Sequence, residues 1–251
     1  MFPLPFSAPY DAILYALFGL DLVLLAAGLA CGRLSADGTG RLPLPLRMAL
    51  SALLVVAAGL FWWQARSGAA LRAYAAWVLA GMGLGFLGDL IMARLIPVPD
   101  RLIAGMLAFG LGHVAYIVGF AGLSASLGRW PERWHLALWA IMLAVGLALW
   151  HTLVQQPGGK RALNAGALVY GLLVATMNAL ALGLGIRDLR FVPLAVGAVL
   201  FLASDTILGH WVIRGHGWRR VNDVVWVTYN LGQLLIVYSV GAAANALRCA
   251  L

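Results

Sequence analysis

Charge is what this sequence has least of. Only 10% of its 251 residues are Asp, Glu, Lys or Arg, and nine are acidic. A soluble domain carries ~25% charged residues, so an ordinary soluble fold is excluded. Cysteine is almost absent as well. Cys31 and Cys249 lie near opposite ends of the chain, and a disulfide framework or a Cys-rich metal cluster has no basis. No Lys or Arg precedes Arg33, so the basic start of a signal peptide is missing and the first apolar stretch is expected to remain as a helix. Neither the HExxH pattern of zinc hydrolases nor the G-x-S-x-G turn of serine hydrolases occurs, and Ser124, Ser126 and Ser204 have no evident triad partners.

What the chain does have is long apolar runs: 63% of its residues are hydrophobic and its mean hydropathy is +0.92. Crossing the ~30 Å hydrocarbon core takes about 20 apolar residues as helix. Runs bounded by Arg, Pro and Gly place spans near 10–31, 46–64, 73–95, 102–123, 134–154, 162–185, 191–213 and 222–247. Strand alternation is missing, and in lipid every backbone group must be satisfied internally, so the spans are helices. The expectation is an all-α polytopic membrane bundle of about eight transmembrane helices, forming a single integral membrane domain over 1–251. The net charge of +8 is spread in small groups between the apolar runs. It reads as topology determinants and contacts to the lipid bilayer, with no nucleic-acid partner. Ten Lys and Arg fall on the side of the odd-numbered loops and seven on the other, which favours cytoplasmic odd loops.

An Asp in mid-span costs ~2.5–3.5 kcal/mol on insertion scales, so such residues face the bundle interior and often mark function. Asp21, Asp89 and Asp205 sit inside spans. Their polar company is His113, Tyr116, Tyr170, Asn178, Ser204, His210, Tyr229, Asn230 and Gln233. Counting residues to the span ends puts Asp89, His113, Asp205 and Tyr229 within ~8–18 Å of one membrane face. Four helices thus offer polar groups to one leaflet, with nothing cationic but His expected nearby. Gly81, Gly85 and Gly88 form a small-residue ridge that admits a close neighbour and carries Asp89. A lone Asn, Tyr or Gln reads most simply as a structural hydrogen bond between helices. Two carboxylates at one depth read as a site. Asp21 is compatible with the same pocket or with pairing to a helix-end Arg, and stays outside the catalytic set. His113, His210 and His216 could join the carboxylates around a metal, but no paired-His spacing supports it, so no metal and no cofactor are expected.

At these residues the sequence resembles the YhhN family of membrane lysoplasmalogenases. The resemblance rests on Gly88-Asp89-Leu90, the run Phe109 to Tyr116, Gly197 through Phe201 to Ser204-Asp205, and Tyr229 with Gln233. It implies hydrolysis of the vinyl ether bond of a lysophospholipid substrate to a fatty aldehyde and a glycerophospho-base, with Asp89 and Asp205 as the catalytic pair. A bacterial inner membrane is the expected location.

The chemistry suits the residues independently. Vinyl ether hydrolysis needs a proton delivered to carbon and water added to the resulting cation, and two carboxyl groups can divide those tasks, as in glycoside hydrolysis. His113 or Tyr116 would orient one carboxylate, Tyr229 with Gln233 would bind water or glycerol oxygens, and Arg94, Arg101, Arg214, Arg219 and Arg220 lie where a lipid phosphate would sit. Two rivals stand beside this reading. A proton-coupled transporter predicts broken helices and an inverted repeat. A non-catalytic lipid-binding protein predicts a polar core that tolerates Asp→Asn. The Gly-Asp and Ser-Asp motifs lie four spans apart, compatible with a four-helix duplication that the surrounding residues do not establish.

Overall fold

The computed structural model describes residue 4 and residues 6–66, 68–128 and 133–249. Arg129, one of the residues counted for orientation, lies outside them. The described residues form α1 (Ala8–Cys31), α2 (Leu44–Gln64), α3 (Ala69–Met92), α4 (Arg101–Ser126), α5 (Arg133–Leu149), α6 (Arg161–Arg187), α7 (Val192–Val212) and α8 (Val221–Arg248). A π-helical turn, Trp150–Val154, continues α5, and a 3-10 turn, Leu189–Phe191, leads into α7. Among the described residues, eight helical stretches are long and apolar enough to cross a membrane, so the protein is an integral membrane protein of the all-α class.

Local chemistry sets the ends. The Asp100 carboxylate accepts from the amides of Leu102 and Ile103 at 3.0 and 3.1 Å, capping α4. Helix α3 stops at Met92, three residues before the expected boundary. Arg94 takes a left-handed backbone (φ 62°), and the amides of Arg94 and Leu95 close back on the carbonyls of Ile91 and Leu90. This is a Schellman ending with Arg where Gly is usual.

Six helices close a ring in the order α2, α3, α4, α6, α7, α8, with α8 also packing across it on α3. Helix α1 lies outside against α2 and α8, and α5 lies outside against α6. The two quartets α1–α4 and α5–α8 therefore occupy equivalent places, each with one outer helix and three ring helices. A constant shift of 116 positions runs through the tight contacts. A Cβ on Gly81 would meet the Tyr116 ring at 2.4 Å, and one on Gly197 would meet the Gly232 carbonyl at 2.8 Å; 81 and 197, like 116 and 232, differ by 116. The four-helix duplication is thus visible in the packing as a parallel repeat.

Candidate active site

The glycine ridge of α3 is what admits the site's side chains. Beside Gly81 lies the Tyr116 ring, against Gly85 lie the amide of Gln233 and the hydroxyl of Tyr229, and over Gly88 lies the Phe109 ring at 2.7 Å from a would-be Cβ. Any larger residue at these three positions would occupy the space the polar groups need.

Asp89 is buried. Its Oδ2 accepts from the Ser51 hydroxyl at 2.6 Å and the Tyr229 hydroxyl at 2.9 Å. Asp205, partly buried on α7, repeats the arrangement: its Oδ2 accepts from the Tyr170 hydroxyl at 2.5 Å and faces His113 Nε2 at 3.6 Å. With the Tyr170 proton directed to Asp205, the phenol oxygen is open to a hydrogen bond from His113 Nε2 at 3.1 Å, and Nδ1 lies 3.3 Å from the Met177 sulfur. Each carboxylate thus receives a hydroxyl from the helix before it (Ser51 on α2, Tyr170 on α6). Each also receives a group from the last helix of the opposite quartet (Tyr229 on α8, His113 on α4). The pairs 89 and 205, and 113 and 229, again differ by 116.

Both carboxylates line one cavity of about 410 Å³, together with Arg47, Arg94, Arg101, Ser204, Trp226 and Tyr229. It lies at the face of the bundle where α3 ends and α2, α4 and α8 begin. A second, narrower crevice of about 80 Å³, almost wholly apolar, runs between α4, α5, α6 and α7. The two spaces share Met92, Phe109, Asp205, Leu208 and Val212, so Asp205 stands at their junction. Asp89 lines only the polar chamber.

Residues 46–240 match the sequence model of the YhhN family. The chain belongs to the YhhN family. No curated protein and no solved structure matches it.

Of the six site residues expected from this YhhN sequence, Asp89, Asp205 and Tyr229 line the chamber. His113, Tyr116 and Gln233 sit behind its wall: His113 supports Asp205, and the Tyr116 hydroxyl donates to Gln233 Oε1 at 2.6 Å. Asp21 does neither of the things considered for it. It accepts from Asn230 Nδ2 at 2.6 Å, buried between α1 and α8 and lining neither space. His210 and His216 stack on each other at 5.2 Å and line neither space, and no set of three potential metal ligands converges among the described residues.

Three participants were not picked out by sequence. Tyr170 reads in the sequence only as polar company for the carboxylates. Ser51 carries no sequence signal of its own. Arg47 overturns the expectation that His is the sole cation near the carboxylates, since it shares the chamber with both. The available signal was the spacing of Arg47 and Ser51, one turn apart on one face of an otherwise apolar span.

Proposed function

We propose that this YhhN protein hydrolyses the vinyl ether bond of a lysoplasmalogen-type lipid, using Asp89 and Asp205 as the acid–base pair. The observation that carries the reading is the position of Asp205, where a polar chamber containing a second carboxylate meets an apolar crevice. A single-chain lipid has the same division: a polar glycerophospho-base on one side, an alkyl chain on the other, and the vinyl ether between them.

The two carboxyl groups then take different tasks. The carbon that accepts the proton is on the chain side of the double bond, and Asp205 is the carboxyl group that borders the crevice. Asp205 delivers a proton to that carbon, the π electrons move to form the new C–H bond, and the ether oxygen shares the cationic charge left on the neighbouring carbon. Asp89, on the chamber side, stabilises this cation and takes a proton from the water that adds to it. The hemiacetal collapses to a fatty aldehyde and the glycerol hydroxyl, consuming one water overall. Tyr170 and His113 orient Asp205, while Ser51 and Tyr229 orient Asp89, and the Tyr116–Gln233 pair braces Tyr229.

The transport reading has less support. It expects interrupted helices at the charged residues, whereas α3 and α7 pass Asp89 and Asp205 as continuous helices.

The test is aldehyde release from a lysoplasmalogen by purified protein in detergent, with Asp89→Asn and Asp205→Asn as variants whose folding is checked by thermal melting. Each variant is expected to lose about 10²–10⁴-fold in kcat. In heavy water, one deuterium should appear at carbon 2 of the aldehyde. Aldehyde release that persists in both folded variants would end the carboxylate mechanism.

A further inference from the structure

Arg47 is the least explained charge in the bundle. It lies in the first turn of α2 and lines the chamber with Asp89 and Asp205. Its guanidinium carbon is 5.5 Å from the centroid of the Trp226 ring. Its Nε is buried and has no hydrogen-bond partner among the described residues. An orphaned guanidinium N–H inside a membrane bundle calls for a reason, because nearly all buried polar groups are paired.

Structure alone does not supply one. The carboxylates of Asp89, Asp223 and Asp37 lie within electrostatic reach of Arg47. Yet Asp89 is taken up by Ser51 and Tyr229, and Asp223 by the amides of Arg41 and Leu42 and by Arg220 Nε. Asp37 is bound within its own loop by Ser35 and Thr39. A guanidinium beside an indole, with no side-chain or backbone acceptor among the described residues, is suited to a planar or tetrahedral oxyanion, which it can engage through two parallel N–H donors.

The repeat sharpens the point. The position 116 residues after Arg47 is Leu163, which lines neither space. Where the first quartet carries a cation, the second carries hydrocarbon.

We infer that Arg47 binds the phosphate of a single-chain phospholipid in the chamber, placing the chain in the crevice and the linkage between them at Asp205. The lipid class is taken from the functional reading above, but the phosphate contact does not depend on any bond being cleaved. Arg94 and Arg101, also on the chamber wall, are exposed and draw the headgroup towards it. Among the described residues, Arg47 is the arginine with a buried guanidinium nitrogen that has no acceptor.

The experiment measures binding rather than turnover. Isothermal titration calorimetry on the purified full chain in detergent compares a 1-O-alkyl lysophosphatidylcholine, which has no vinyl ether to cleave, with the matching 1-O-alkylglycerol. Glycerophosphocholine and inorganic phosphate are run alone. Wild type should bind the phospholipid about tenfold or more tighter than the alkylglycerol, the size of a charge-assisted hydrogen bond or two. Arg47→Gln should lose that preference while binding alkylglycerol as before, and Arg47→Lys should keep part of it. Arg66→Gln, which removes the same charge from the far end of α2, should bind as wild type.

Equal binding of both lipids by wild type, or a preference kept by Arg47→Gln, would overturn the inference. So would Arg47-dependent binding of inorganic phosphate as tight as that of the lipid, which would make this a soluble-phosphate site. Should Arg47→Gln fail to fold, the wild-type comparison and Arg47→Lys still decide. A phosphate preference in a protein that releases no aldehyde would separate the failure of the hydrolase reading from the failure of this one.

Discussion

His113 on α4 and Asp205 on α7 face each other at 3.6 Å across the ring, with the Tyr170 hydroxyl hydrogen-bonded to both. The imidazole cannot reach the chamber and acts only through the carboxylate it holds. Replacing it should misplace Asp205 rather than remove a group that touches substrate. His113→Gln is expected to lower kcat about 10–10²-fold with KM little changed. Steady-state kinetics would expose an error here as a rise in KM at constant kcat.

Ser51 and Tyr229 donate to the same oxygen of Asp89. Removing either leaves the other to hold the carboxylate, and removing both frees it. Ser51→Ala and Tyr229→Phe should each cost about 1–2 kcal/mol in activation free energy, and the double variant should deviate from additivity by at least ~0.5 kcal/mol. A double-mutant cycle on kcat checks this, and strict additivity would mean the two hydroxyls do not share a target.

Two glycines on one helix predict opposite outcomes. A Cβ at Gly81 would strike the Tyr116 ring at 2.4 Å, while one at Gly83 meets nothing within 4 Å. Gly81→Ala should destabilise the protein by about 1–3 kcal/mol through overpacking. Gly83→Ala should be neutral or stabilising by up to ~1 kcal/mol, since Ala is the better helix former. Thermal midpoints in one detergent compare the two directly.

The crevice can be narrowed without a clash, because Gly171 lines it and a Cβ there would enter open space. Gly171→Leu should shift preference towards shorter alkenyl chains by about tenfold, the scale of a few displaced methylenes. Kinetics with short and long chains test it. An unchanged preference would place the chain elsewhere.

Asp37, on the chamber wall, is held ionised by its loop. The Ser35 hydroxyl first, then the amide and hydroxyl of Thr39, lower its pKa to about 2. A depressed carboxylate contributes to stability above its ordinary value near 4 and loses that contribution as pH falls through about 2. Its charge is therefore constant at neutral pH, and Asp37→Asn should leave the midpoints of the pH–rate profile where they are. A moved midpoint would show that Asp37 titrates with the site.

The spans and the two aspartates were legible because a bilayer punishes charge and because apolar runs need no partner to be recognised. Tyr229 was legible for the same reason, since depth along a helix can be counted. The partners were not. Ser51 reaches Asp89 across 38 positions and Tyr229 across 140, and nothing in local periodicity states which helices adjoin. Arg47 looked like one more basic residue at a helix start, where positive charge orients a membrane protein. Asp21 sits at a depth compatible with the site, and it is the bond from Asn230, 209 positions away, that sets it apart.

The duplicated unit contains four crossings, an even number. A chain that crosses four times returns to the side it started from, so the second copy inserts with the same sense as the first. Every feature carried at one depth by the first copy is then carried at the same depth by the second. Had the unit held three or five crossings, the second copy would have been turned over, with its carboxylate in the opposite leaflet. Parity of the repeat, with no further adjustment, brings two aspartates from distant stretches of chain to a common depth.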